Sequence, residues 1–120
     1  MTRTAEEINR EIARLNVELA EAVQPRQYSW VVVRSGQSGV WLGQLVTKIG
    51  DEVTLASARR LWRWSGAVDL SQLSQSGVSK PAGCKFPPAI PSVTVLGVCE
   101  ILPATSASVA SIRAVPDWVA

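Results

Sequence analysis

Apolar residues in the first part of the chain fall at Ile8, Ile12, Leu15, Leu19 and Ala22, spaced four, three, four and three apart. That is the two-per-heptad seam of a coiled coil, narrower than the stripe of a helix lying on a globular core. Thr4 and Glu7 supply a capping box at its start. Pro25 disfavours helix at the residue before it, so the spacing predicts a helix that stops near Val23. Such a helix has about five turns and is marginal alone. Its expected partner is the same helix of another subunit, with packing across its own domain as the alternative.

From Tyr28 the period changes. Tyr28 to Arg34 is β-branched and aromatic, Ser35 to Gly39 has loop composition, and Val40 to Ile49 reads as the returning strand with Gly43 as a bulge. Gly50-Asp51 marks a tight turn into Glu52 to Ala56 and on to the segment Arg59-Arg60-Leu61-Trp62-Arg63-Trp64. These runs predict an antiparallel meander. Asp69 caps a short helix carrying Leu70 and Leu73. Residues 76–91 form a long connection with four prolines and two glycines, and ordered loops of that length tend to bind. Val93 to Leu102 reads as one strand, apolar on both faces and therefore central. Residues 107–115 fit helix or strand. The expected architecture is α+β, an N-terminal coiled-coil-like helix (1–24) followed by an antiparallel β-rich, ligand-binding domain (25–120).

A chain of 120 residues that is 47% hydrophobic has room for one real core and is not disordered. Its net charge of +2 is split, with −2 on residues 1–24 and +4 on the remainder. The β-rich part can therefore attract small anions, although a duplex-binding surface is usually denser in charge. No apolar run approaches a membrane span. Cys84 and Cys99 sit in no CxxC, and without a signal peptide ahead of them reduced thiols in an intracellular protein are the expectation.

The chain has no histidine, which removes histidine acid–base chemistry and histidine metal ligands. Five of its ten carboxylates lie before residue 25, and only Glu100, set in an apolar strand, stands out as a general base or as an arginine's partner. No serine sits in a GxSxG elbow, and neither a P-loop nor GxGxxG occurs. Binding is better provided for. Arg59, Arg60, Arg63, Lys80, Lys85 and Arg113 are candidate phosphate contacts. The tryptophans of the Arg/Trp run and Phe86 are candidate stacking faces. The same alternation also fits a half-buried strand with core tryptophans and solvated arginines, and Phe86 also fits a core anchor for its proline-rich loop.

The run from Arg59 to Ala67, then Leu70-Ser71-Gln72-Leu73, Gly77-Val78, Cys84-Lys85-Phe86 and Gly97-Val98-Cys99-Glu100-Ile101 resembles the Thoeris anti-defence proteins of the first type. These are small phage and prophage proteins that act as sponges for cyclic ADP-ribose signals, and the similarity covers about residues 28–116. The resemblance implies a non-enzymatic protein without a cofactor that captures glycocyclic ADP-ribose in the cytoplasm of the infected bacterium and blocks Thoeris immunity. It further implies assembly through the N-terminal helices into dimers and hexamers, pockets at subunit boundaries, and in some members cyclic trinucleotide sites; no nucleic acid or membrane partner is implied. Carried to this chain, Arg59, Arg60 and Arg113 would hold pyrophosphate and Phe86 would stack on adenine, with Arg63, Lys85 and Thr105 as further ligand contacts. Strand alternation lets only some of Arg59, Arg60 and Arg63 face a ligand. The rival expectation is a single-stranded nucleic-acid-binding module using the same arginines and tryptophans.

Overall fold

Val31, Val32 and Val33 are all buried, although neighbours on a strand point to opposite faces. The sheet that holds them is therefore covered on both sides. A computed structural model describes residues 4–10 and 28–119. It contains a helix over residues 5–10 (α1), β1 (Trp30–Ser35), β2 (Gly39–Ile49), β3 (Glu52–Arg60), α2 (Leu70–Ser76), β4 (Ile90–Val95), β5 (Val98–Pro103) and α3 (Ser106–Ala114). The sheet order is β4-β3-β2-β1-β5, antiparallel at every pairing.

The chain links β4 to β5 by Leu96 and Gly97 alone, yet these strands form opposite edges of the sheet. Three Cα steps span about 11 Å at most, whereas four strand spacings in a flat sheet come to about 19 Å. The sheet must therefore coil on itself. β2 does the bending, with register shifts against β3 between Leu42 and Gln44 and between Leu45 and Thr47. The first lies at the expected bulge at Gly43, where a Cβ would come within 2.9 Å of Leu55 Cβ. As a result both ends of β2 converge on Val98, which pairs with Ser35 and donates its N–H to Asp51 O at 2.8 Å. Ser35 Oγ clamps the seam, donating to Leu96 O at 2.7 Å.

Inside the coil lie Val31, Val33, Trp41, Val53, Leu55, Ala58 and Val95. The outer face carries Val32, Leu42 and Leu61, covered by Leu73 of α2, by Val78, Cys84 and Phe86 of the long connection, and by Ile112 of α3. Asp69 Oδ1 caps α2 by accepting from Gln72 N at 2.9 Å, and Thr105 Oγ1 caps α3 by accepting from Ser108 N at 3.1 Å. Serines join the two helices: Ser108 Oγ donates to Leu73 O at 2.7 Å, and Ser111 Oγ accepts from Val78 N at 3.0 Å. The abundant hydroxyls here hold the outer layer together.

The structure corrects the expected fold class in two respects. It is mainly a five-stranded antiparallel sheet with short helices, and no coiled-coil helix leads it among the described residues. The described part of α1 covers six residues, its capping threonine accepts from Glu7 N at 3.2 Å, and the one seam residue within it, Ile8, is 44% exposed. Those residues make under two turns, so no seam is present among the described residues. The rest of the expected helix, from residue 11 to 24, lies outside the described residues. The second correction concerns residues 93–102, which form parts of two edge strands; Gly97, at φ +65, breaks the run. The ambiguous segment 107–115 is helical up to Ala114, with Val115 as the extended residue that ends α3.

Candidate functional site

β3 ends at Arg60, and beyond it the Arg/Trp run leaves the sheet, which separates side chains that the sequence groups together. Arg59 turns inward and is only 4% exposed. Its five N–H groups all find acceptors: Nε donates to Pro87 O at 3.1 Å, Nη1 to Ile112 O at 2.9 Å and Arg113 O at 3.4 Å, and Nη2 to Phe86 O at 3.2 Å and Asp117 Oδ1 at 3.1 Å. A guanidinium has five donors and no more. Burial lowers the Arg59 pKa from its ordinary value while Asp117 opposes that shift, and the carbonyls at the C-terminal end of α3 favour a cation there. Arg59 is a brace that ties the long connection, α3 and the C-terminal segment to the sheet. It has no donor left for a phosphate.

Arg60 is also engaged. Its Nη1 donates to Ser38 O at 2.6 Å, and its guanidinium lies 4.2 Å from the centre of the buried Trp41 ring. Phe86 is fully enclosed in the outer core, 5.5 Å from the Arg59 guanidinium, so neither of its faces is open to a base. The expected stacking role is corrected to the core anchor. Thr105 spends its hydroxyl on capping α3 and on Gln75 O at 2.6 Å. Glu100 is exposed on edge strand β5. Arg113 borders a different cleft, where it lies 5.2 Å from the Trp30 ring.

Two of the expected residues do come together. Arg63 and Lys85 form an isolated antiparallel bridge, Lys85 N donating to Arg63 O at 2.7 Å and Arg63 N to Lys85 O at 3.3 Å. Beside them Trp62 and Trp118 stack with ring centres 5.1 Å apart and planes 3° from parallel. Both rings reach solvent, Trp62 at 57% and Trp118 at 40%. Lys85 Nζ stands 5.7 Å from the Trp62 ring centre and 5.5 Å from that of Trp118. An adjoining hollow of about 500 Å³ is lined by Arg63, Trp64, Ser65, Gly83, Lys85 and Trp118 among others. Among the described residues no carboxylate pairs with Arg63 or Lys85, since the neighbouring Asp117 is held by Arg59.

The shape of this hollow follows from local rules. Pro81 opens a 3-10 turn (Pro81–Gly83), and Gly83 lets the turn press on Ser65, whose Cβ would lie 2.7 Å from a Cβ added at Gly83. The C-terminal segment arrives through a parallel bridge of Phe86 with Asp117, and Trp118 N donates to Phe86 O at 2.9 Å. The sequence gives no local signal for Trp118 as a site residue, because its neighbours in space come from Trp62 and Lys85. Together the groups offer flat apolar faces and two cations, which suit a planar ring bearing negative charge. No group of three or more potential metal ligands occurs among the described residues. Cys84 and Cys99 are separate thiols, one buried and one exposed.

Residues 28–112 match the model of a family described as a domain of unknown function (DUF6948). The chain belongs to that family. No curated protein and no solved structure matches it. The matched region includes Trp62, Arg63 and Lys85 and ends before Asp117 and Trp118. Among the described residues no helix is long and apolar enough to cross a membrane.

Proposed function

We propose that the protein captures a small anionic nucleotide signal and holds it unaltered, with glycocyclic ADP-ribose as the ligand and Thoeris immunity as the process blocked. The observation that carries this reading is the position of Lys85, its ammonium within 6 Å of the ring centres of two exposed, parallel indoles, in a hollow it shares with Arg63, whose guanidinium pairs with no carboxylate among the described residues. A base stacks on the free indole face, a contact worth about 1–3 kcal/mol. The pyrophosphate faces Arg63 and Lys85, where each charge-assisted bond contributes about 1.5–3 kcal/mol. Capture without turnover agrees with a chain that has no histidine and whose Asp117 is committed to Arg59. Sequestration in the host cytoplasm demands roughly nanomolar affinity, near 12 kcal/mol. One shallow hollow does not supply that alone, so a second subunit closes the site in a homo-oligomer of two to six copies.

The test is calorimetric titration with glycocyclic ADP-ribose, followed by heat denaturation and chromatography of the released ligand. Tight binding, recovery of the intact compound, and at least tenfold weaker binding in Lys85→Ala and Arg63→Ala support the proposal. Failure to bind any cyclic ADP-ribose isomer, or release of a changed product, overturns it. The exposure of the stacked indoles also fits a single-stranded nucleic-acid-binding module. Steeply salt-dependent binding of an oligonucleotide, with indifference to the cyclic nucleotide, would establish that second reading.

A further inference from the structure

Arg113 borders another opening, which shares no lining residue with the hollow beside the indole pair. The end of β5, the start of β1 and one face of α3 enclose a cleft of about 610 Å³. Tyr28, Trp30, Pro103, Ala104, Val109 and Ala110 make most of its wall. Among the described residues no acidic side chain lines it, and the one charge at its border is Arg113. That guanidinium lies 5.2 Å from the centre of the Trp30 ring, and among the described residues no acceptor receives its side-chain N–H groups. Arg113 is linked to Arg59 through the backbone, Arg59 Nη1 donating to Arg113 O at 3.4 Å.

An apolar hollow of this volume lies within the range of small-molecule sites. Its chemistry is narrower than that of the Lys85 site, with one cation in place of two and a mostly apolar wall. We infer that this cleft is a separate binding site for an aromatic monoanion, a flat apolar body carrying one carboxylate or similar group. The body packs on Trp30 and Tyr28 between the small side chains of Ala104 and Ala110. The anion takes the planar donor fork of Arg113, which the Trp30 face already holds in place. The selectivity of the cleft rests on charge count: a pyrophosphate would leave one negative charge without a partner against an apolar wall, whereas a monoanion is matched.

The probes are 2-naphthoate and its neutral analogue 2-naphthamide, titrated into the full-length protein by calorimetry and located by chemical-shift changes in the Trp30 indole N–H. The expected result is that naphthoate binds at least tenfold tighter than the amide. Arg113→Gln abolishes that preference while leaving amide binding unchanged, and Trp30→Leu weakens both. Lys85→Ala leaves both affinities as they are, which separates this site from the nucleotide reading, so each stands or falls on its own variants. Arg113 is exposed, and its replacement leaves the core intact. Equal binding of the two probes, a charge preference that survives Arg113→Gln, or loss of naphthoate binding in Lys85→Ala would each overturn the inference.

Discussion

Arg59 Nη2 lies 3.1 Å from Asp117 Oδ1, joining a side chain that is 5% exposed to one that is 60% exposed. The pair is unequal in consequence. Asp117 loses one partner if Arg59 goes, but removal of Arg59 takes a donor from four backbone carbonyls as well, of which Phe86 O and Ile112 O keep a backbone N–H and, among the described residues, Pro87 O and Arg113 O do not. Arg59→Leu is expected to destabilise the fold by about 3–5 kcal/mol, the cost of breaking a buried charged network. Asp117→Asn is expected to cost about 1 kcal/mol or less, because the carboxylate is well solvated and Arg59 keeps its carbonyl acceptors. Urea unfolding of the two variants checks the order, and equal losses would contradict the account of Arg59 as a brace.

The stacked indoles give a spectroscopic prediction. Two parallel rings 5.1 Å apart couple their transitions, so the far-ultraviolet circular dichroism should contain an exciton couplet. Trp62→Ala and Trp118→Ala should each abolish it, and each should cost only about 0.5–1.5 kcal/mol of stability, the worth of an aromatic pair. A couplet that persists in either variant would show that other tryptophans produce it.

Phe86 and Lys85 are adjacent and should behave oppositely. Phe86→Ala removes a fully buried ring from the outer core and should cost about 3–5 kcal/mol. Lys85→Ala should leave the melting temperature within a few degrees of the parent. Phe86→Leu, which keeps the core filled, should retain nucleotide capture per folded molecule. Selective loss of binding in Phe86→Leu, with stability intact, would restore a stacking role to that ring.

Two glycines provide a paired test of backbone geometry. Gly66 has φ +86, and a Cβ there would fall 2.6 Å from Lys80 N and 2.7 Å from Ser79 N. Gly66→Ala is therefore strained by conformation and by contact with backbone, and at least about 1–3 kcal/mol should be lost. Gly36 has open space where a Cβ would stand. Gly36→Ala should be neutral or add about 0.4–1 kcal/mol through the unfolded chain. Thermal denaturation of both variants decides the matter.

The meander was legible because each of its signals is local: β-branched residues in Tyr28 to Arg34, the turn at Gly50-Asp51, and the glycine that permits the bulge at Gly43. The cap at Asp69 was legible for the same reason. The fate of the Arg/Trp run was not, since strand alternation says which side chains share a face and not what covers that face. Arg59 is buried because carbonyls of Phe86, Pro87 and Ile112 converge on it, all remote in sequence. The break at Gly97 was hidden by apolar residues on both sides, which read as one continuous strand until the chain must cross from one sheet edge to the other. Of the seven expected ligand contacts Arg63 and Lys85 share one hollow, and Trp118, which completes it, is joined to them only through tertiary structure; Arg59 and Arg113 border a smaller one of about 170 Å³, where every Arg59 donor is already engaged.

The crossing at Leu96 and Gly97 also sets the order in which the molecule can be completed. β1 obtains its second neighbour only from β5, where Val32 lies opposite Leu102, about seventy residues later. A growing chain on the ribosome therefore keeps one side of β1 bare through most of its synthesis, a template for pairing with other nascent chains. Fragments that stop short of Val98 should accumulate as aggregates, and chaperone dependence in the cell follows from the wiring of the strands more than from their composition.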